Sequence, residues 1–551
     1  MNQGGEQTAA IGGAPTTRRS ERPLGALGLT ALAITALVLA PLVAVVANAF
    51  GPGQGTWAHL VQTVLPAYLR NTLLLLVGVT YGVVSIGVLA AWLVTAYRFP
   101  GRRVLEWALV LPLAMPAYVM AYAYTDWLQF TGPVQTGLRA LTGWQGREYW
   151  FPEIRSLYGA AAMLSFALYP YVYLLARTSF LELSRSALEA GRLAGYGAWG
   201  GFFRVAVPLA RPAIAAGPAL ALMETLADFG VVSYFAVETF TTGIFKAWLG
   251  MGDVVAACQL AACLLGFVVI VLAIERWNRG AARYHPTALR TAQPPQRLRG
   301  GAAAAACVAC GAPVLFGFVL PAGILLHVAA TSTEAALDAR VLGQIANSVT
   351  VAGVSAATAV GIAVLMAYAA RLAFRPLVAR ATRASALGYA IPGAVIAVGI
   401  LVPLGRLDNL LAGWIQGAFG VDVGLVFTGT IVALVYAYLV RFLAVALQTV
   451  EAGLARVTPS MEDAARSLGA GPLATFGRVH APLLASSLAT AALLVFVDTV
   501  KELPATFALR PFNFDTLAVA AYNFTRDERL AEAAVPSLVI VAVGLLPVLF
   551  V

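Results

Sequence analysis

Four carboxyl groups stand inside long apolar stretches of this sequence. Glu224 and Asp228 are four residues apart, and Asp498 and Glu502 repeat that spacing 274 positions later. Residues four apart share one face of a helix, and ionisable groups in a membrane-spanning helix usually line a pathway or pair with one another. The two pairs therefore indicate either a polar translocation path or a structural ion pair, in which Lys501 neutralises Asp498 or Glu502.

The first pair differs from the second in its local charge. Ala227 stands where the second pair has Lys501, so the acids of the first pair have no such partner beside them. Carboxylate oxygens are the donors that a hard trivalent cation prefers. They suit an organic cation such as a polyamine or thiamine nearly as well, and both classes of cation stay open at this point.

A polar loop also occurs twice between apolar stretches, with nine of 21 positions identical. In both copies an acidic residue stands 19 positions before a proline. The glycines (195 and 197, 469 and 471) are typical of a tight turn, and the prolines suit the start of the next helix. Small residues beside the acid leave a helix face flat enough for another protein to pack closely. A polar loop kept in duplicate is expected to bind another molecule, and its matching positions are Glu189, Ala190, Gly191, Gly195 and Pro208, and Asp463, Ala464, Ala465, Gly469 and Pro482.

The surrounding composition is that of an integral membrane protein. Of 551 residues, 60% are hydrophobic and 11% are charged, and the mean hydropathy is +0.81. Soluble domains have about 25% charged residues, and a helix spans a bilayer with about 20 apolar residues. Twelve such runs occur, near 24–48, 72–97, 104–127, 158–178, 212–235, 254–275, 302–329, 347–370, 384–404, 424–445, 483–500 and 533–551.

The repeat extends beyond the loops. Asn71 matches Asn347 and Pro116 matches Pro392, each 276 positions later. Each half holds six predicted spans, and an even number gives both halves the same orientation, related by a pseudo-twofold axis along the membrane normal. We predict an all-α integral membrane protein with about twelve transmembrane helices in two parallel six-helix repeats. The predicted limits are a disordered cytoplasmic tail at 1–22, repeats at 23–277 and 301–551, and a cytoplasmic linker at 278–300.

The formal net charge of +10 does not indicate a nucleic-acid partner. Arginines cluster before the first predicted span, after the sixth, and between spans two and three, four and five, eight and nine, and ten and eleven. All of these segments lie on one side of the membrane, which is the cytoplasmic side by the positive-inside rule. The N-terminus is then expected to be cytoplasmic.

Nothing in the sequence suggests a resident metal or cofactor. Cys307 and Cys310 lie among alanines with no second pair or nearby histidine, a pattern typical of buried apolar thiols. Lys246 and Lys501 are the two lysines, and neither belongs to a Gly-x4-Gly-Lys-Ser/Thr phosphate loop. We expect no tightly bound metal or cofactor and no ATP hydrolysis by this chain.

The doubled loop resembles the signature loop of the permeases of bacterial ABC importers. That signature reads Glu-Ala-Ala, three residues, Gly, nine residues, an aliphatic residue, one more, an aliphatic residue and Pro. The chain departs from it by Gly191, Asp463 and Ala481, which are mild changes in size. The resemblance implies that the two loops are coupling helices, which dock on two copies of a separate ATPase that binds ATP and magnesium.

The segments around the four acids resemble the ferric-iron permease subfamily, which fuses two permease units in one chain. The resemblance lies in the runs beginning Asp228-Phe229-Gly230 and Lys501-Glu502-Leu503-Pro504, and it covers nearly the whole sequence. It implies an inner-membrane permease that moves ferric iron from a periplasmic binding protein to the cytoplasm by alternating access.

Other functions remain open on the sequence alone. Related fused permeases carry thiamine or a phosphonate, so thiamine, a polyamine or a phosphonate are alternative cargoes of the same importer class. A secondary transporter driven by protons through the four acids is a second alternative, although it does not explain the doubled loop. A membrane scaffold without transport would have no use for acids within its spans.

Overall fold

The computed structural model describes residues 25–53, 55–146, 148–183, 185–279, 296–335, 337–373 and 376–550. Within these ranges the chain is helical almost throughout. Strand is confined to one parallel pairing, of β1 (Tyr97–Arg98) with β2 (Gln296–Arg297). The tail predicted at 1–22 and most of the linker predicted at 278–300 lie outside the described residues.

The first half contains fourteen α-helical segments in its described residues. They are α1 Ala26–Ala49, α2 Thr56–Thr63, α3 Leu65–Ala96, α4 Arg102–Ala108, α5 Ala117–Leu128, α6 Pro133–Thr142, α7 Leu157–Glu182, α8 Arg185–Leu193, α9 Ala198–Gly201, α10 Val207–Leu209, α11 Arg211–Ala227, α12 Gly230–Tyr234, α13 Phe240–Phe245 and α14 Val254–Arg279. A 3-10 turn (Leu111–Ala114) and two π-helical turns (Phe202–Ala206 and Lys246–Gly250) complete this half.

The second half follows the same order. Its helices are α15 Gly300–Val314, α16 Leu320–Thr331, α17 Ala339–Ala373, α18 Pro376–Ser385, α19 Gly393–Phe419, α20 Ile431–Leu454, α21 Pro459–Ser467, α22 Pro472–Thr475, α23 Ala481–Lys501, α24 Pro504–Leu509, α25 Leu517–Arg526 and α26 Leu530–Phe550. Here the 3-10 turn is Ala386–Ala390, and the π-helical turns are Leu315–Val319 and Phe476–His480. Helix α3 thus corresponds to α17, α7 to α20, α8 to α21, α11 to α23 and α12 to α24.

The prediction of an all-α membrane protein with about twelve spans in two repeats is confirmed. Ten described helices are long and apolar enough to cross a membrane, and two bent pairs raise the number to as many as twelve. The bends lie between Arg102–Ala114 and Ala117–Thr142, at 93°, and between Trp199–Leu209 and Arg211–Ala227, at 73°.

Three of the predicted spans, 104–127, 212–235 and 384–404, are wrong as single helices. The first breaks at Pro116, whose ψ of 137° is extended, and Pro392 interrupts the matching position of the second half with a ψ of 140°. Proline lacks the N–H that would continue the helix. The second breaks after Ala227, because the next residue is extended and begins a new short helix.

Small residues allow the helices to pack closely. Gly78 and Gly82 of α3 face Ala161 and Ser165 of α7, and a Cβ added at Gly78 would lie 3.1 Å from that of Ala161. Such small residues four apart bring helix backbones together in membranes, where burial of apolar surface drives association less than in water. The pair α3–α7 forms one wall of the first repeat.

The first helix of each half packs against the other half. Helix α1 lies on α18 and α19, where the hydroxyl groups of Thr35 and Ser385 are 3.0 Å apart in a buried position. On the opposite side, Tyr124 of α5 donates a hydrogen bond of 2.6 Å to the carbonyl of Phe316 in the second half. The halves therefore interlock and enclose a common interior.

Candidate functional site

Helices α11 and α23 both end in the interior of the protein, at an acidic residue that caps the following short helix. Asp228 has an extended ψ of 133°, and its Oδ2 accepts hydrogen bonds from the amides of Val231 and Val232, each 3.1 Å long. Glu502 has a ψ of 124°, and its two carboxylate oxygens accept from two amides of α24, each at 2.9 Å. Both carboxylates satisfy amides that a helix N-terminus leaves free.

This geometry corrects one expectation from the sequence. Glu224 and Asp228 do not share a face of one helix, since α11 ends at Ala227. Asp498 and Glu502 are likewise separated by the end of α23 at Lys501. The physical reason is competition: a carboxylate placed just before a possible helix start favours capping over continued helix. The four-residue spacing of the acids in the sequence does not distinguish a capping carboxylate from one within a continued helix.

A cavity of about 170 Å³ lies where the two halves meet. All four predicted acids line it, two from each repeat. Its other polar walls come from residues that the sequence reasoning did not single out or did not place there. These residues are Tyr118, Tyr171, Tyr389, Arg441 and Lys501.

Arg441 is the central cation of this cavity. Its side chain is 9% exposed, and it lies in the middle of α20, where it is the one charged residue before Glu451. Nη1 is 3.2 Å from Glu502 of its own repeat, and Nη2 is 3.6 Å from Glu224 of the other repeat. A lone arginine in an apolar span was the sequence signal that could have identified it.

The second cation lies beside the fourth acid. Lys501 Nζ is 3.7 Å from Asp498, so of the two pairings left open by the sequence the lysine contacts Asp498, while Glu502 pairs with Arg441. The first repeat has Ala167 and Ala227 at the positions of Arg441 and Lys501. The acids of the cavity thus follow the repeat symmetry, whereas both cations come from one repeat. The lining holds two more carboxyl groups than cationic side chains.

The two repeated loops form matching helix–turn structures at one end of the helix bundle. Helices α8 and α21 each end in a left-handed glycine, Gly195 with φ 81° and Gly469 with φ 80°. In both loops the amide of the residue after this glycine donates a hydrogen bond of 3.0 Å to the carbonyl five residues earlier. Tyr196 donates to Gly191, and Ala470 donates to Ala465. This is a glycine-terminated helix end. The turn prediction is confirmed at these two glycines; Gly197 and Gly471 need neither a positive φ nor a close approach.

The two acid-led triplets present the same surface. In each, the acid and the residue after it are exposed, and the third residue is buried against its own repeat. The exposed positions are Glu189, Ala190, Asp463 and Ala464, and the buried ones are Gly191 and Ala465.

Pro208 and Pro482 each follow a widened turn, the π-helical segments Phe202–Ala206 and Phe476–His480. In a regular helix the proline ring would clash with the carbonyl four residues earlier, and the wider turn gives it room. Pro482 is the second residue of α23, as predicted for the start of a span. Pro208 lies in the short α10, and the chain bends before α11 continues.

Gly393 makes the central ion pair possible. It is the first residue of α19, and a Cβ added there would lie 2.7 Å from Arg441 Nη1 and 2.7 Å from Glu502 Oε1. We expect Gly393→Ala to lower the free energy of unfolding by about 1–3 kcal/mol, the usual cost of overpacking. Heating the purified protein in detergent and measuring the fraction that stays monodisperse tests this.

Gly405→Ala in the same helix is the matched control, because a Cβ there meets nothing within 4 Å. Alanine favours a helix over glycine by up to about 1 kcal/mol, so the control should be unchanged or slightly more stable. Equal stability of the two variants would contradict the steric role of Gly393.

Comparison with known proteins agrees with this architecture. The model of the family described as binding-protein-dependent transport system inner membrane component matches residues 83–280. The Fe(3+)-transport system permease protein FbpB 2 of Haemophilus influenzae is 26% identical over 486 residues, which are 87% of this chain and 88% of that protein.

Two shorter relatives match a part of the chain. The sulfate transport system permease protein CysT of Escherichia coli is 30% identical over 260 residues, 45% of this chain and 88% of that protein. The molybdenum transport system permease protein ModB of Escherichia coli is 28% identical over 202 residues, 35% of this chain and 83% of that protein. With its apolar helices and doubled loop, the chain belongs to the family of binding-protein-dependent transport system inner membrane components, the permeases of ABC importers.

Proposed function

We propose that this permease moves ferric iron, delivered by a periplasmic binding protein, across the inner membrane to the cytoplasm. The observation that supports this most directly is the cavity at the junction of the repeats, where four carboxyl groups converge. Oxygen donors suit a hard trivalent cation. The similarity to an Fe(3+)-transport permease over 87% of the chain supports the same cargo.

The two repeated loops are the sites at which the ATPase subunits dock. Each repeat, 23–277 and 301–551, has one loop helix with an exposed acid–alanine pair and a glycine turn. The arginine distribution indicates that both loops lie on the cytoplasmic side. One ATPase subunit docks on α8 and a second copy on α21. The linker at 278–300 and the N-terminus lie on that same side.

Transport then follows alternating access. ATP favours the closed ATPase pair, and a ligand shifts an equilibrium by its differential affinity for the two states. Closure moves α8 and α21 and reorients the repeats around the cavity, and hydrolysis resets them. A cation that enters the cavity competes with Arg441 and Lys501 for the carboxylates of Glu224 and Asp498.

A second cargo class has specific support as well. Arg441 and Lys501 suit an oxyanion, and permeases for sulfate and molybdenum are among the relatives of part of the chain. Thiamine, a polyamine and a phosphonate remain alternative cargoes.

A proton-driven secondary transporter would use the buried acids but has no need of two exposed, glycine-terminated loops.

Uptake by proteoliposomes that contain the permease and its ATPase tests the cargo. The vesicles receive binding proteins loaded with ferric iron, thiamine, a polyamine, a phosphonate, sulfate or molybdate, each with and without ATP. We expect ATP-dependent accumulation of iron. Accumulation of another ligand would refute iron as the cargo but not the importer class. Transport that does not require ATP would refute both the cargo and the importer class.

The two cavity acids that do not cap helices are predicted to stabilise the cargo. Glu224→Gln combined with Asp498→Asn should lower iron uptake at least about tenfold, which corresponds to a loss of roughly 1.4 kcal/mol of cation stabilisation. Glu238→Gln is the control, since Glu238 pairs with Lys246 at 2.8 Å in an exposed position away from the cavity. Unchanged uptake in an assembled complex would give the two acids a structural role only.

The glycine turns are predicted to transmit the ATPase movement. Gly195→Val and Gly469→Val place a side chain at a positive φ, which costs about 1–2 kcal/mol for a non-glycine residue. ATP hydrolysis should continue while transport per ATP falls. Gly197→Val and Gly471→Val are matched controls in the same loops, where φ is not positive and the space is open. Coupling at the unmodified level in both test variants would refute the docking role.

A further inference from the structure

A cluster of charged side chains lies beneath the second loop. Glu462 immediately precedes Asp463 in α21, yet its side chain is 13% exposed, against 69% for Asp463. Its Oε1 is 2.7 Å from Arg371 Nε and 3.2 Å from His480 Nε2, and its Oε2 is 3.3 Å from Arg466. Glu462 therefore points into the protein while its neighbour faces outward.

Arg371 connects this carboxylate to the helix that holds the central cavity cation. It stands near the end of α17, and its two Nη groups donate hydrogen bonds of 2.7 Å each to the carbonyls of Leu454 and Val457. Leu454 is the last residue of α20, the helix of Arg441, and Val457 lies in the turn that follows it. A guanidinium that holds a carboxylate and two carbonyls at once fixes their relative positions, because its donors are coplanar and rigidly spaced.

The matching positions of the first repeat cannot form this cluster. Leu188, Thr95 and Ala206 stand where the second repeat has Glu462, Arg371 and His480. The apolar contact nearby is common to both repeats. Trp92 packs on Phe202 with centroids 5.3 Å apart, and Tyr368 packs on Phe476 with centroids 5.5 Å apart. Both repeats therefore share the aromatic contact, and the second repeat adds an ionic contact to it.

We propose that Glu462 is a positioning residue that fastens the second loop to α17 and α20, so that a movement of α21 reaches Arg441 in the cavity. This proposal rests on the proposed function, since it requires that an ATPase moves α21. Helix α20 connects Leu454, one of the two carbonyl partners of Arg371, to Arg441, and Arg441 contacts acids of both repeats. A movement of the second loop therefore reaches the charged centre of the cavity through Arg371 and α20.

Glu462→Gln in the assembled complex tests this. The amide keeps the size of the side chain but removes its negative charge. We expect the complex to assemble and hydrolyse ATP, while the number of cargo ions moved per ATP falls at least about tenfold, because loss of the negative charge weakens the contact with the partly buried Arg371 through which the loop holds the end of α20. Glu462→Asp, which restores the charge, should recover part of the coupling.

Glu532→Gln is the matched control. Glu532 pairs with Arg529 at 2.6 Å at the start of α26, on a different element from the loops, so its loss should leave the ratio of transport to hydrolysis unchanged. Thermal stability of each complex is measured in parallel, because a purely structural role would lower stability without changing that ratio.

Three outcomes overturn the proposal: a normal ratio in Glu462→Gln, a complex that no longer assembles, or an equal fall in the control. Its failure is distinct from failure of the proposed function. If the unmodified complex shows no ATP-dependent transport, the proposed function fails. If that complex transports normally and Glu462→Gln is equally well coupled, only the role of Glu462 is refuted.

Discussion

The ion cluster around Arg441 is the interaction on which the rest of the interior depends. A guanidinium inside an apolar bundle is stabilised only if carboxylates approach it closely, and here they come from both repeats, Glu224 from one and Glu502 from the other. The halves must therefore meet at this point. Gly393 leaves the room for the pair, and the first helix of each half, packed on the opposite half, holds the junction closed.

The same carboxylate of Glu502 connects the ion cluster to the backbone. It caps α24 while it pairs with Arg441, so the break between α23 and α24 and the charge of the cavity depend on one side chain. Asp228 caps α12 in the same way without a cation of its own repeat. The repeat symmetry thus sets the backbone of the cavity, and the departures from symmetry set its charge.

A comparable departure occurs at the loops. Both have an exposed acid–alanine pair and a left-handed glycine, so they present nearly equivalent surfaces. Beneath that surface only the second sequence has the residues for a carboxylate–guanidinium contact, between Glu462 and Arg371. Nearly equivalent surfaces thus cover unequal internal contacts, and the second repeat alone has the residues for an ionic connection from its loop to the helix of Arg441.

Composition and the duplicated positions determined the class of this protein: apolar runs of helical length, two parallel halves, two acid-led loops and four interior acids all follow from types and spacings in the sequence. Helical periodicity, however, could not reveal where a helix stops. Asp228 and Glu502 follow the helix pattern of their neighbours but cap new helices, because amides three and four residues ahead compete for their carboxylates. The acidic partners of Arg441 lie 61 and 217 positions away, and Arg371 lies on a different helix from Glu462, so only the packed structure brings these charges together.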